Sequence, residues 1–160
     1  MRALAALACL CAAAPAAAQA DAAQARGADP GSARPVEAVR AAVAQLFDGM
    51  RAADTTAVRA VLHPDARFST VTRQGERHAL APGDVGAFLA ALASSDVVWD
   101  ERLGEVEVRV DDGLATAWMA YRFYAGDRFS HCGVNAMQLV QDAAGWRILN
   151  LVDTRRRGCE

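Results

Sequence analysis

The apolar residues of this chain change their spacing part-way along, and that change decides which elements can share a core. Before Val97 they recur at three- and four-residue steps. Val36, Val39, Val43, Leu46, Phe47 and Met50 form one stripe of a helix, with Arg40, Gln45, Asp48 and Arg51 mostly outward. Asp54 stands as an N-cap for a short second helix, Thr55 to Leu62, which Pro64 ends. Ala66 to Thr72 reads as a strand, Arg73-Gln74-Gly75-Glu76 as a turn, and Gly83 to Ser94 as a third helix carrying Val85, Phe88, Leu89 and Leu92. From Val97 onward the period is two. Val106, Val108 and Val110 alternate with Glu105, Glu107 and Arg109, and Asp112-Gly113, Gly126-Asp127 and Asp142 to Gly145 supply successive tight turns. Helices followed by a four-strand antiparallel meander predict an α+β domain with its helices on one face of the sheet.

The turns fix register, and register sorts side chains between faces. Taking Asp112-Gly113 as a loop sets Val108 opposite Ala117; Gly126-Asp127 sets Tyr121 opposite Cys132 and Met119 opposite Val134; the last hairpin sets Val134 opposite Asp153 and Gln138 opposite Leu149. The face expected against the helices is then Val106, Val108, Val110, Ala117, Met119, Tyr121, Phe123, Val134, Ala136, Val140, Leu149 and Leu151, with Gln138 and Asp153 embedded in it. The opposite face carries Glu105, Glu107, Arg109, Trp118, Arg122, His131, Asn135, Met137, Leu139, Ile148 and Val152. A contiguous patch of Trp118, Met137, Leu139, Ile148 and Val152 is larger than a monomer ordinarily exposes, so these residues are expected to form a homodimer interface. A β-bulge in one of the long strands would exchange the two lists beyond it.

The N-terminus reads as a secretory signal: Met1-Arg2, an alanine-rich apolar run to Pro15, and small residues up to Ala20. Residues 1–20 are expected to be removed, giving an exported protein, periplasmic or secreted, without stable membrane insertion, since the run is shorter than a bilayer needs. Residues 21–35 hold no large apolar side chain and read as a flexible tether, leaving residues 36–160 as the domain. Signal removal takes Cys9 and Cys11 and leaves Cys132 and Cys159 as one pair. In an oxidising compartment a disulfide between them would close a loop of about 27 residues, worth around 3 kcal/mol. The chain has 17 cations, all arginine, against 19 anions, a net charge of −2. That balance argues against nucleic acid as a partner, and the lack of lysine excludes Schiff-base chemistry.

Leu62-His63-Pro64-Asp65-Ala66-Arg67-Phe68 after two helices and Gly145-Trp146-Arg147-Ile148 in the last strand resemble the nuclear transport factor 2-like (NTF2-like) superfamily, with its SnoaL-like and ketosteroid-isomerase-like members. The segments from Phe129 to Val140 and from Asp153 to Arg157 are similar to a subgroup of small proteins in it without assigned activity. The resemblance spans Val36 to Glu160. It implies a cone-shaped, cystatin-like α+β fold with a curved sheet around the first helix, a pocket at the open end and often a dimer through the sheets. Function does not follow from this fold, which hosts isomerases, dehydratases, hydrolases and binders.

On this reading the pocket takes a small, largely apolar ligand against Met119, Tyr121, Phe123, Gln138 and Asp153. The alternatives are a cofactor-independent acid/base isomerase or dehydratase, and a structural homodimer with a filled cone. For the enzyme, Asp153 would be the base, its pKa raised by apolar surroundings, Tyr121 the hydrogen-bond donor and His131 an optional third group. Against that stands a structural Asp153 paired with Arg155, and a structural His131 at the dimer face. Trp99-Asp100-Glu101-Arg102 reads either as a carboxylate source for the cone mouth or, preferably, as a charged edge strand. Arg155-Arg156-Arg157 reads as a solvated tail, His63 and His78 as structural or solvated. No metal-ligand spacing or cofactor motif is present, so no metal or cofactor is expected.

Overall fold

The computed structural model describes residues 30–159. The expected signal, residues 1–20, and the tether up to residue 29 lie outside the described residues. The first helix, α1, runs Pro30–Arg51, so residues 30–35 of the expected tether belong to it. Pro35 sits close enough to its start to cost only one early backbone bond. α2 spans Thr55–Ala60, with the Asp54 carboxylate accepting from the Thr56 and Ala57 amides, and α3 spans Val85–Ala93, capped in the same way by Asp84.

The strands are β1 Leu62–Gln74, β2 Arg77–Gly83, β3 Trp99–Leu103, β4 Glu107–Asp111, β5 Leu114–Ala125, β6 Arg128–Asp142 and β7 Gly145–Thr154. They form a seven-stranded sheet in the order β2-β1-β7-β6-β5-β3, with β4 pairing the other half of β5. The expected meander is β4 to β7. Joined to it by a parallel β1–β7 pair is the β1–β2 hairpin, which makes the sheet mixed. β2 occupies a stretch expected to be a loop; as an edge strand it tolerates Pro82.

α1 lies in the concave side of this sheet. Val39, Val43, Leu46, Phe47 and Met50 are buried against a floor that includes Ala115, Ala117, Met119, Met137, Leu139 and Ile148. Each large apolar side chain in that layer contributes roughly 1.5–3 kcal/mol. The result is a helix-in-cone α+β architecture.

Two bulges rearrange the expected faces. Tyr124 pairs with Phe129 but Phe123 pairs with His131, so Ser130 is an extra residue in β6. Beyond it Tyr121 stands opposite Gly133 and Met119 opposite Asn135, one residue off the expected register. β6 therefore turns its odd-numbered residues inward. In β7, Gln138 pairs with Asn150 and Leu139 with Ile148, leaving Leu149 as the second extra residue. Ile148 and Leu151 thereby face the same side. The expectation for β4 and β5 holds without change: Val108 pairs with Ala117, and Ala115, Ala117, Met119 and Tyr121 are buried.

These shifts correct several assignments. Met137, Leu139 and Ile148, expected at a dimer interface, are core residues, and Val134 and Ala136, expected inside, lie on the opposite side of β6 from them. Gln138, expected in the pocket, is exposed on the convex face. Of the expected interface set, Trp118 and Val152 stay outside; Trp118 is 56% exposed.

Candidate functional site

A cavity of about 170 Å³ lies between α1, α3 and the concave sheet. Its apolar wall is Leu46, Phe47 and Met50 of α1, Phe88 of α3, Phe68 of β1 and Leu151 of β7. Its polar groups include Thr70, Glu101, Asn135, Asp153 and Arg155 from the strands and the end of β7, with Ser69 of β1 and the exposed Asp84 cap of α3 beside them.

Asp153 is the hub. It is 6% exposed, and three side chains donate to it: Thr70 to Oδ1 at 2.5 Å, Tyr121 to Oδ2 at 2.9 Å and Arg155 to Oδ2 at 2.7 Å. The register explains the meeting, since Thr70 pairs directly with Asp153, while Asn135 separates Asp153 from the β5 strand that carries Tyr121. The Tyr121 hydroxyl also lies 3.0 Å from the Thr154 carbonyl. Burial first, and the Asp153 charge second, push the Tyr121 phenol well above its ordinary pKa, so it acts as a donor. The Arg155 pairing weighed in the sequence reading is thus present together with the tyrosine contact.

The Trp99–Arg102 segment, expected preferably as a charged edge, also supplies a carboxylate to the cone, Glu101. β3 presents Asp100 and Arg102 outward, where Asp100 bonds Arg51 at 2.8 Å and Arg102 at 2.7 Å. Glu101, between them, points inward, is 9% exposed, and accepts a 2.7 Å bond from the Asn135 amide through Oε1. Its Oε2 has no hydrogen-bond partner among the described residues. Burial pushes the carboxyl up to about 7, opposed by the Asn135 bond and reinforced by the nearby Asp153 charge. The signal that could have found it is alternation: Glu101 pairs with Phe123, so a strand that turns Phe123 inward turns Glu101 inward as well.

His131 lies on the concave side, not on the convex face where it was expected, because the Ser130 bulge rotates it inward. Its ring sits 5.0 Å from Phe123 and 5.7 Å from Tyr121, and Phe123 continues through Trp99 and Phe88 to Phe68 as a chain of aromatic contacts. Burial, then the Arg155 charge, lowers its pKa, favouring the neutral imidazole. Asp153, Tyr121 and His131 are therefore brought together, with Met119 and Phe123 on the same face, but of the residues expected to line the pocket only Asp153 does so; Met119 and Tyr121 are buried in the core and His131 lines a separate cleft. His63 accepts from the Asp65 amide at 3.1 Å and His78 is exposed on β2. Among the described residues no cluster of three or more His, Cys, Asp or Glu side chains is arranged to hold a metal.

Cys132 and Cys159 are joined by a disulfide, with Cα atoms 6.3 Å apart. The tail it fastens is also bonded to β6: the Cys132 amide donates to the Arg156 carbonyl at 2.9 Å, and the Arg156 amide returns a bond at 2.8 Å. On the convex face a shallow groove of about 450 Å³ runs beside Trp118, Val152, Gln138 and the Glu107–Arg109 ion pair.

The sequence model of a family described as "Putative lumazine-binding" matches residues 34–152. The chain belongs to that family. Solved structures described as NTF2-like share its fold. A protein of unknown function from Mycobacterium tuberculosis superposes with TM-score 0.64 at 17% identity, covering 82% of this chain and 79% of its own. An NTF2-like protein of unknown function from Shewanella baltica gives 0.62 at 12% identity, covering 79% and 97%. One described as a "putative dehydratase" of the NTF2-like family from Streptomyces avermitilis gives 0.59 at 16% identity, covering 78% and 98%. Likeness at this level shows the fold alone. No curated protein matches the chain.

Proposed function

We propose that this NTF2-like domain binds one small, largely apolar molecule in its cone cavity. The observation that carries the reading is a cavity of about 170 Å³ with an aromatic and aliphatic wall and a buried, under-used carboxyl, Glu101. A dry cavity of about 150 Å³ accommodates benzene, so the occupant is on the scale of one or two small rings. Asp153 is saturated by Thr70, Tyr121 and Arg155 and serves as scaffold, whereas Glu101 has one oxygen to offer. Such a volume speaks against the filled-cone reading. Native mass spectrometry of the mature, unreduced protein from its own compartment tests the proposal, with lumazine, after which the family is described, as an added probe. A copurified small molecule, or saturable lumazine binding weakened by Phe88→Ala, supports it. A clean apoprotein that takes up no apolar ring compound rejects it.

A second reading, a cofactor-independent acid/base isomerase or dehydratase, is favoured by Glu101 titrating near neutral pH beside the Asp153–Tyr121 pair. Its test is turnover of the identified ligand. Glu101→Gln and Asp153→Asn variants that both match wild type would eliminate it.

We further infer an exported homodimer assembled through the convex sheet face. Trp118 is its exposed apolar anchor, with half-buried Val152 beside it. Glu107 and Arg109 give the face both signs of charge, so a two-fold copy meets it without like-charge repulsion.

A further inference from the structure

We propose that the arginine cleft beside the cone is a binding site for a phosphate-type oxyanion carried on a small ring-bearing molecule. This goes beyond the cone reading and stands on different residues except for Arg155, which lines both cavities. Arg128, Arg155, Arg156 and Arg157 converge on one open cleft of about 650 Å³, with Phe129, Ser130 and His131 completing its wall and no carboxylate among the lining residues. Arg155 is paired with Asp153. Among the described residues Arg128, Arg156 and Arg157 form no ion pair.

The convergence is built by the fold. The sequence places Arg128 at the start of β6 and the other three after β7, well apart along the chain. Two features bring them together: the reciprocal Cys132–Arg156 backbone bonds and the Cys132–Cys159 disulfide, which lay the tail back along β6. Gathering uncompensated guanidinium groups in this way costs self-repulsion, which an anion in the cleft reverses. Guanidinium forks match phosphate and carboxylate oxygens in bidentate geometry, and three unpaired cations suit a dianion better than a monocarboxylate. Phe129, 37% exposed, offers a ring face beside them. The cleft is much larger than inorganic phosphate, which points to a phosphomonoester.

The test uses the mature, disulfide-bonded protein, followed by arginine Nε–H and backbone amide resonances during titration with inorganic phosphate and with phenyl phosphate. Saturable shifts centred on Arg128, His131 and Arg156 are expected, tighter for phenyl phosphate and weakened by added sodium chloride. Arg128→Gln and Arg157→Gln, both at exposed positions, are each expected to weaken phenyl phosphate binding roughly tenfold, the loss of one charge-assisted contact. Cys159→Ser, which unfastens the tail, weakens it too. Phosphatidylglycerol vesicles form a separate arm: sedimentation with vesicles but no response to soluble phosphates assigns the site to a lipid phosphodiester and overturns the ring-bearing phosphomonoester. No saturable response to any of these probes, or affinities unchanged in both arginine variants, overturns it. Failure here leaves the cone proposal untouched, because apolar binding measured with Phe88→Ala reads a different cavity.

Discussion

The Asn135 side-chain amide donates to Glu101 across the width of β5, linking two strands that are not neighbours in the sheet. The bond gives the buried acid a partner that serves it in either protonation state. Because burial raises the folded-state pKa of Glu101 to about 7 from an ordinary 4.5, the folded protein keeps a proton there that the unfolded chain releases. Stability from this group is complete below pH 4.5 and is lost as pH rises through 7, on the order of 3 kcal/mol in all.

Glu101→Gln is therefore expected to be more stable than wild type at pH 8 and little different at pH 4.5, read as urea midpoints. His131, whose pKa is lowered, acts in the opposite sense below pH 6.5, so the comparison is the difference between the two proteins at each pH. Equal midpoints at pH 8 would contradict the buried, proton-retaining Glu101.

Gly133 faces Tyr121, and its missing side chain is what lets the two strands and the ring approach. A Cβ there would fall 1.7 Å from the Thr154 carbonyl oxygen and 2.9 Å from Tyr121 Cε1. Since the first contact is with backbone, no rotamer relieves it. Gly133→Ala is expected to cost about 3 kcal/mol or more and to disturb the Tyr121–Asp153 bond, seen in denaturant midpoint and near-UV circular dichroism.

Tyr121→Phe removes one of three donors to Asp153 while keeping the ring. A loss of about 1–2 kcal/mol in unfolding free energy is expected, because Thr70 and Arg155 still hold the carboxylate. A loss as large as that of Gly133→Ala would mean that the hydroxyl alone anchors the end of β7.

Trp118→Arg places a charge in the middle of the convex face without touching the core. Light-scattering mass should fall from dimer to monomer; an unchanged mass would remove this face as the interface.

Cys159→Ser opens a loop of 27 residues, which is expected to lower stability by about 3 kcal/mol. Wild type in reductant should show the same loss, and the two effects should not add.

Where local chemistry specified geometry, the sequence was readable. Asp112, with φ 51, and Gly113 close a two-residue loop, and from that loop the β4–β5 register follows directly. The helix stripe of α1, the Asp54 cap and the resemblance carried by Leu62 to Phe68 likewise led to the cone fold. What resisted reading was parity. Serine at position 130 and leucine at position 149 fit a regular strand as comfortably as a bulge, so nothing local announced that β6 and part of β7 would invert. The edge reading of Glu101 was preferred for another reason: its neighbours Asp100 and Arg102 advertise an exposed edge, and a run of charges hides the one that turns inward. β2 was obscured by Pro82, which an edge strand accepts because it needs only half of its backbone bonds.

The extra residue at Ser130 has a consequence for how this chain can vary. Everything downstream in β6 is sorted by whether its distance from the Gly126 turn is odd or even, and Ser130 sets that count. Pairing it into a regular ladder would send Asn135, Met137 and Leu139 to the convex side and bring Ala136 and Gln138 into the cone, whereas deleting it would leave every pair from Phe123–His131 onward in place. The bulge is then a place where the β5–β6 hairpin can lose one residue and keep its faces, a latitude in the lineage of this domain that no residue-by-residue comparison would display.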